Sequence, residues 1–384
     1  MNIVSVNAIP ITHFDHHKQP LNYLFVRIET DVGVIGYGEV CDSYGCNYPL
    51  SIQAVIEEAI RPLLLEESPL AVERLVIKMR GWTRRRLGDQ GVIIQAISGV
   101  EIALWDLLGK LEGKSVSRLL GRCRDQVVVY ASGPFLEEGR PDWHMKMFQP
   151  CLNQGVRAIK LRTGLSYRRD LKTLRALRSR LGDDIQIMID GSEHYTVPTA
   201  LEIARALADL GVLFFEEPVP QHHREGIARL VEKSPVPIAY GEHLFTRHDF
   251  QDCLVHARAD VVQPDAALSG GIAEARRIAA LAEPFGVLVV PHSAAGPLAL
   301  AANLHFAASA PSVKMLEYSF TLDSLWREML RDPILSPAAL QDGQLAVPEG
   351  PGLGLIIDEA VWNRYPYRSR PVVVKMPTWS LGRV

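Results

Sequence analysis

From residue 126 onward the chain repeats one pattern: a short run rich in Val, Ile, Leu and Phe ends in a polar residue, and a stretch with helical spacing of apolar positions follows. The runs are VVVYAS to Ser132, AIKLR to Arg162, IQIMID to Asp190, VLFFEE to Glu217, PIAYGE to Glu242, VVQPD to Asp265, VLVVPH to His292 and VKMLE to Glu317. Their polar ends recur every roughly 25 to 30 residues, the length of one strand plus one helix with short loops. Between them, VPTALEIARALADLG predicts a helix: Pro198 stands near its first turn, Leu201, Ile203, Ala204, Leu207 and Leu210 fall at helical spacing, and Gly211 stops it. GGIAEARRIAALAEPFG is organised in the same way. Such βα units with continuously apolar strands predict a parallel barrel covered on both faces, its polar strand ends gathered at one mouth.

Residues 1–125 are patterned differently. Strands are predicted at YLFVRIETDVG and IGYGEV, and helices around SIQAVIEEAIRPLLL and ISGVEIALWDLLGKLEG, which makes an α+β module ahead of a barrel assigned to residues 126–340. Residues 341–384, with the loop-rich EGPGLGL and the weakly strand-like PYRSRPVVVKMPTWSLGRV, are predicted to return and pack on the first module.

Composition narrows the class without choosing a chemistry. With 384 residues, 47% hydrophobic and 22% charged, the chain is long enough for an elaborated barrel and a smaller domain. A net charge of −3 and basic runs as short as Arg84–Arg86 give no basic face, so neither nucleic acid nor a membrane is expected as partner. The five cysteines are scattered without CxxC spacing and suggest neither a disulfide framework nor a thiolate zinc site. The start, MNIVSVNAIPITHFDHH, reads as a strand and a histidine-rich loop rather than a leader, and no apolar run approaches the ~18 residues of a span; a cytoplasmic setting is expected.

Asp190, Glu216 and Glu242 end three consecutive strands at equal spacing. Neighbouring strands lie about 5 Å apart, so carboxylates at one height converge, and that much negative charge calls for a cation. Oxygen ligands with no His or Cys among them favour Mg²⁺. The next two strands end in Asp265 and His292, where the carboxylate can fix one imidazole nitrogen and raise the basicity of the other, making a general acid/base. Taken singly, each residue would read as a strand-end cap or a satisfied core group; their combination is what points to chemistry.

MID, FFEEP, YGEH, QPDAALSGG, VPH and MLE, in this order and spacing, resemble the enolase superfamily in its mandelate racemase/muconate lactonizing enzyme branch over essentially the whole chain. The resemblance implies an α/β fold, a modified (β/α)8 TIM-like barrel with an α+β capping domain whose loops choose the substrate. It implies metal ligands at Asp190, Glu216 and Glu242, a His292–Asp265 dyad, Glu317 as an acid that hydrogen-bonds a developing enolate, and Lys160 as the first lysine of the family's KxK pair. A homo-oligomer, dimer to octamer, is implied as well. LGDQGVIIQAISGVEIALWDLLGKLEG is similar to the capping-domain helix of galactarolactone cycloisomerases and sugar acid dehydratases, and GEH at Gly241–His243 is similar to rhamnonate dehydratases. Two positions depart: Arg162 stands where the family has its second lysine, and Ser192 where Asn is usual.

An arginine stays protonated near neutral pH and is no base, whereas its planar fork suits it to clamp a carboxylate or hydroxyl. The proton is therefore assigned to His292. Racemisation or epimerisation needs an acid/base on each face, and Arg162 does not supply the second; dehydration needs only His292, as base and then as acid. Tyr167, assisted by Arg162, and His194 are secondary candidates. His16, His17, Lys18, Tyr44 and Tyr48 in the loops HFDHHKQP and CDSYGCNYP, together with His243, are candidate substrate contacts suited to a polyhydroxylated acid. The leading expectation is a Mg²⁺-dependent sugar acid dehydratase, a lyase. A sugar acid lactone cycloisomerase is the near alternative. A barrel that only binds acids is the distant one, since binding alone needs no polarised dyad.

Overall fold

The computed structural model describes residues 1–14, 20–136, 139–163 and 166–369. Its first unit is an antiparallel sheet of β1 (Ile3–Phe14), β2 (Pro20–Thr30) and β3 (Ile35–Val40). The two-residue period of β2 splits its side chains between two cores. Leu24, Val26 and Ile28 join Ile56, Met79 and Ile97 in the module's own core, whereas Tyr23 and Phe25 face the cluster that runs through the barrel. The long helix Val92–Glu112 is apolar enough by composition to cross a membrane, yet 83% of that window is buried inside the protein. It lies so close to β3 that a Cβ at Gly38 would overlap the carbonyl oxygen of Gly99.

Each of the eight apolar runs supplies a strand: β4 (Gln126–Phe135), β5 (Ala158–Arg162), β6 (Gln186–Asp190), β7 (Val212–Glu216), β8 (Ile238–Tyr240), β9 (Val261–Val262), β10 (Leu288–Val289) and β11 (Leu316–Tyr318). They pair in parallel in chain order from β4 to β10. β11 closes the circle by pairing with β4, and a parallel bridge from Val289 to Val313 joins the remaining edge. Helices such as Val197–Ala208 and Ile272–Ala282 cover the outside. β12 (Gln344–Ala346) adds antiparallel to the start of β4.

Alternation along these strands builds the interior in layers. Tyr130, Ala158, Met188, Phe214, Ala239, Val261 and Val290 form a separate apolar cluster, with Met315 against it. Two residues further along the same strands come Ser132, Lys160, Asp190, Glu216, Gly241, Gln263, His292 and Glu317. A period of two puts those positions on the same inward face one step higher, so a polar layer stands directly on an apolar plug.

The module and the barrel are joined by buried acids placed at helix starts. Glu39 of β3 accepts from the N–H groups of Gly296, Leu298 and Ala299 at 2.6, 3.1 and 3.0 Å, capping the helix Pro297–Ala308. Glu101 accepts from Ile272 and Ala273 at 2.8 and 2.9 Å, capping Ile272–Ala282. These N–H groups have no partner within their own helices, and the helix dipole favours a negative group there. Residues near the end of the described chain also meet the first sheet: Pro366 bridges Ile11, and Glu359 accepts from Arg27 at 3.0 Å and from the Tyr37 hydroxyl at 2.5 Å.

His305, in the helix capped by Glu39, knits three segments together. Its Nδ1 accepts from the Ser117 N–H at 3.2 Å, and its Nε2 lies 3.2 Å from the Leu353 carbonyl, so the neutral imidazole satisfies both. Burial lowers its pKa from 6.5 to about 4. Its stabilising contribution is therefore complete above about pH 6.5 and is lost as pH falls towards 4, because there the unfolded chain takes up the proton first. The stability gap between wild type and His305→Gln should narrow by about 2–3 kcal/mol between pH 7 and pH 4 in urea unfolding. Parallel profiles would show that His305 is not the titrating group.

Candidate active site

Pairing register, rather than sequence spacing, assembles the site. Arg162 pairs beside Asp190, and Asp190 beside Glu216. Glu216, however, pairs beside Ala239, so the equal spacing of the three acids is not their register. Glu242 reaches the same height through a turn at Gly241, whose φ is +152° and where a Cβ would overlap the backbone of Gln263. Oxygens of Asp190, Glu216 and Glu242 nevertheless lie within 4.8 Å of one another, and all three residues are buried.

Two cations hold this charge. Lys160, fully buried, stands 2.6 Å from Glu216 Oε1 and 3.1 Å from Glu317 Oε1. Burial works to lower its pKa, but those two carboxylates outweigh it and keep the ammonium charged well above the usual range. Arg162 places Nε 3.1 Å from Asp190 Oδ2, donates from its NH1 nitrogen to the Gly133 carbonyl at 2.8 Å, and comes within 3.9 Å of Glu317. Burial again opposes the charge, and Asp190 and Glu317 raise the pKa regardless. Glu216 is pushed up by burial and by Asp190, Glu242 and Glu317, against the pull of Lys160.

The dyad is formed. His292 Nδ1 lies 2.8 Å from Asp265 Oδ2. The other oxygen of Asp265 accepts from Asn303 Nδ2 and the Ala267 N–H, each at 2.8 Å, which fixes the carboxylate. His292 Nε2 has no hydrogen-bond partner and points between Glu242 and Glu317, 3.7 and 3.9 Å away. Burial disfavours the imidazolium, but Glu242, Glu317 and Asp265 together raise the pKa to about 9. Cys41 lies behind the dyad, and burial raises its pKa well above the ordinary value, so it remains a thiol.

Above these groups opens a cavity of about 1140 Å³. Its lining combines the polar Asp190, Glu242, Arg162 and Ser192 with the apolar Phe135, Trp143, Met147 and Phe320, and includes Arg140 and Arg327. Lys160, Glu216, His292 and Glu317 are buried beside Asp190 and Glu242 and are not themselves among the lining residues. Tyr44 and His243 reach the cavity, the latter with Nδ1 2.9 Å from Glu217. Tyr48 does not: it is 61% exposed, turned outward where the Asp42 carboxylate binds the N–H groups of Asn47 and Tyr48. Tyr167 and His194 are not among the lining residues; the Tyr167 hydroxyl accepts from Arg168 at 3.2 Å. His16, His17 and Lys18 lie outside the described residues.

Three contributors were not among the residues singled out from the sequence. Gln263 donates to Glu216 Oε2 at 2.7 Å, Asn303 orients Asp265, and Ser43, in the capping module, donates to Glu242 Oε1 at 3.1 Å. Gln263 could have been found by carrying the two-residue period one strand further. The other two become visible only once the chain is folded.

This architecture and site define a class, and comparison with known proteins agrees. The family description "Enolase C-terminal domain-like" matches residues 147–361, and "Mandelate racemase / muconate lactonizing enzyme, N-terminal domain" matches residues 2–121. The chain belongs to the enolase superfamily, in its mandelate racemase/muconate lactonizing enzyme branch. It is 36% identical to an arabinonate dehydratase of Saccharolobus solfataricus, with 92% of each chain covered. It is 32% identical to a D-galactarolactone cycloisomerase of Agrobacterium fabrum, covering 88% of this chain and 89% of that one. The crystal structure of the 3,6-anhydro-D-galactonate cycloisomerase from Zobellia galactanivorans superposes with a TM-score of 0.86 at 29% identity, covering 96% of this chain and all of that one.

The Lys160 arrangement yields a direct expectation. Removing one member of a buried ion pair leaves the other uncompensated, at about 3–5 kcal/mol. Lys160→Met should lose a stability of that order in urea unfolding with chelator present. A loss under about 1 kcal/mol would mean that Glu216 and Glu317 take up a proton in its place.

Proposed function

We propose that the protein is a Mg²⁺-dependent sugar acid dehydratase in which His292 is the acid/base. The observation that carries this reading is the unpaired, buried His292 Nε2, backed by Asp265 and aimed between Glu242 and Glu317 at the edge of the carboxylate cluster. The similarity to sugar acid dehydratases and to a lactone cycloisomerase supports the substrate class.

Asp190, Glu216 and Glu242 fit a divalent ion. They are buried, oxygen-only ligands held close together, and Glu242 Oε2 is left without a partner. Mg²⁺ is the choice that such hard ligands favour. When bound, the ion supplies positive charge that makes a proton beside a carboxylate easier to remove and that offsets the field holding His292 protonated. Neutral His292 then takes the α-proton at Nε2, while Lys160, fixed beside Glu317, keeps a positive charge near the oxygen where negative charge develops. As imidazolium, His292 gives a proton to the β-hydroxyl, which leaves as water, and the resulting enol becomes a 2-keto-3-deoxy acid. Arg162 stays cationic, is tied to Asp190, and lines the cavity as a clamp for the acid; Tyr44 and His243 stand where substrate hydroxyls would meet them. Trp143 and Phe320 offer flat apolar faces to the C–H side of a sugar chain. A cytoplasmic homo-oligomer completes the reading.

A second reading, a sugar acid lactone cycloisomerase, uses the same base and rests on the likeness to the cycloisomerases. Incubation with Mg²⁺ and a library of sugar mono- and diacids, followed by semicarbazide detection of 2-keto acids, should give product. A silent screen accompanied by turnover of a lactone in NMR would establish the isomerase in its place. In the active assay His292→Asn should lose about 10²- to 10⁴-fold in kcat with metal affinity nearly intact. Wild-type turnover in that variant would remove His292 from the chemistry.

A further inference from the structure

The barrel supplies all three carboxylates of the cluster, yet one of them is gripped from the other domain. Ser43 belongs to the capping-module loop that follows β3, and its hydroxyl donates to Oε1 of Glu242 at 3.1 Å. No other side-chain hydrogen bond to Glu242 is present among the described residues; His243 Nε2 is 3.8 Å from the same oxygen, beyond hydrogen-bond range. Oε2 is buried and unpartnered, and faces the centre of the site.

The loop is built to hold this hydroxyl in place. Ser43 has φ +124°, a region that non-glycine residues rarely occupy and that persists only when the surroundings enforce it. The surroundings do so. On one side the Cys41 N–H donates to the Ala267 carbonyl at 3.1 Å, two residues past Asp265; on the other the Gly45 N–H donates to the Ala294 carbonyl at 2.7 Å, two residues past His292. Asp42 accepts from the N–H of Asn47 at 2.6 Å and from its side chain at 2.9 Å, closing the turn. One short loop is thus tied to the segments that carry the base and its carboxylate partner, and it spends its strained residue on the third acid of the cluster.

We propose that Ser43 is a positioning residue for the ion site. Its hydroxyl occupies Oε1 of Glu242 and so commits Oε2 to the ion, which makes the capping module a determinant of metal affinity. The proposal rests on the reading of Asp190, Glu216 and Glu242 as the ion's ligands. A partner that orients a ligand without touching the ion is typically worth about 10- to 100-fold in affinity.

Mn²⁺ binding to the full chain, followed by calorimetry and by its paramagnetic resonance spectrum, tests this in wild type, Ser43→Ala and Ser43→Gly. Alanine removes the hydroxyl and keeps the strained backbone; glycine removes both. The expected result is a dissociation constant raised about tenfold or more in both variants, with an altered Mn²⁺ spectrum and with the metal-free unfolding midpoint of Ser43→Ala unchanged. Affinities within twofold of wild type in both would overturn the proposal. So would normal affinity in glycine beside weak affinity in alanine, since the backbone and not the hydroxyl would then be responsible. Asp190→Asn is the control for the underlying reading: if wild type binds no Mn²⁺, or Asp190→Asn binds it as well as wild type, the ion site itself is wrong and Ser43 falls with it.

Discussion

The structure turns on an excess of buried negative charge. Asp190, Glu216, Glu242, Asp265 and Glu317 are buried together at the ends of the barrel strands, with Lys160, Arg162 and His292 as the positive groups beside them. Burying a carboxylate costs several kcal/mol unless it is paired and hydrogen-bonded. Most of that demand is met locally: Lys160 answers Glu216 and Glu317, Arg162 answers Asp190, and Asn303 and the Ala267 N–H complete Asp265. Glu242 Oε2 and His292 Nε2, 3.7 Å apart, are among the buried atoms left without a hydrogen-bond partner.

The layered interior explains how the fold tolerates this. Every strand but β8, which presents Gly241, carries an apolar residue and, two positions later, a polar one, so the charge sits on a plug formed by Tyr130, Met188, Phe214 and Val290. The plug also fixes the height of the polar layer. Because the strands pair in parallel in chain order, a side chain two residues past the plug has no choice of level, and the distances among Lys160, Glu216 and Glu317 follow from backbone register more than from rotamers.

That register also decides how much could be read from the sequence. The eight strands were legible because a strand covered on both faces is apolar throughout and stops abruptly at its polar end. Asp190, Glu216, Asp265, His292 and Glu317 were legible for the same reason. The equal spacing of the acids, by contrast, suggested a common register that the pairing does not have: Glu242 is brought level by the turn at Gly241. Ser43 and Asn303 act from elements far away in sequence, and a polar residue on a loop or in a helix carries no mark of its distant partner. Tyr48 shows the converse error. A tyrosine near the mouth looks like a substrate contact until the turn around Asp42 is seen to face it outward.

How the substrate enters is constrained by the same buried acids that join the two units. Withdrawing the capping module from the barrel would pull Glu39 from three N–H groups and Glu101 from two, and would exchange those bonds for bonds to water. Exchanging each such bond for one to water costs about 0.5–1.5 kcal/mol net, and more where the carboxylate is charged, so breaking all five together is unfavourable. Burial raises Glu39 to about 8 and Glu101 to about 7, so near neutral pH both sit close to their titration, yet neither can leave its helix without that penalty. A hinge between the domains is therefore the expensive route. The cavity rim is held differently: Arg140 stands just before the helix Pro141–Asn153 and Arg327 on the helix Asp323–Met329, neither of which is capped by Glu39 or Glu101. The bonds from Glu39 and Glu101 thus hold β3 and the helix Val92–Glu112 against the barrel that carries His292, Glu242 and Glu317.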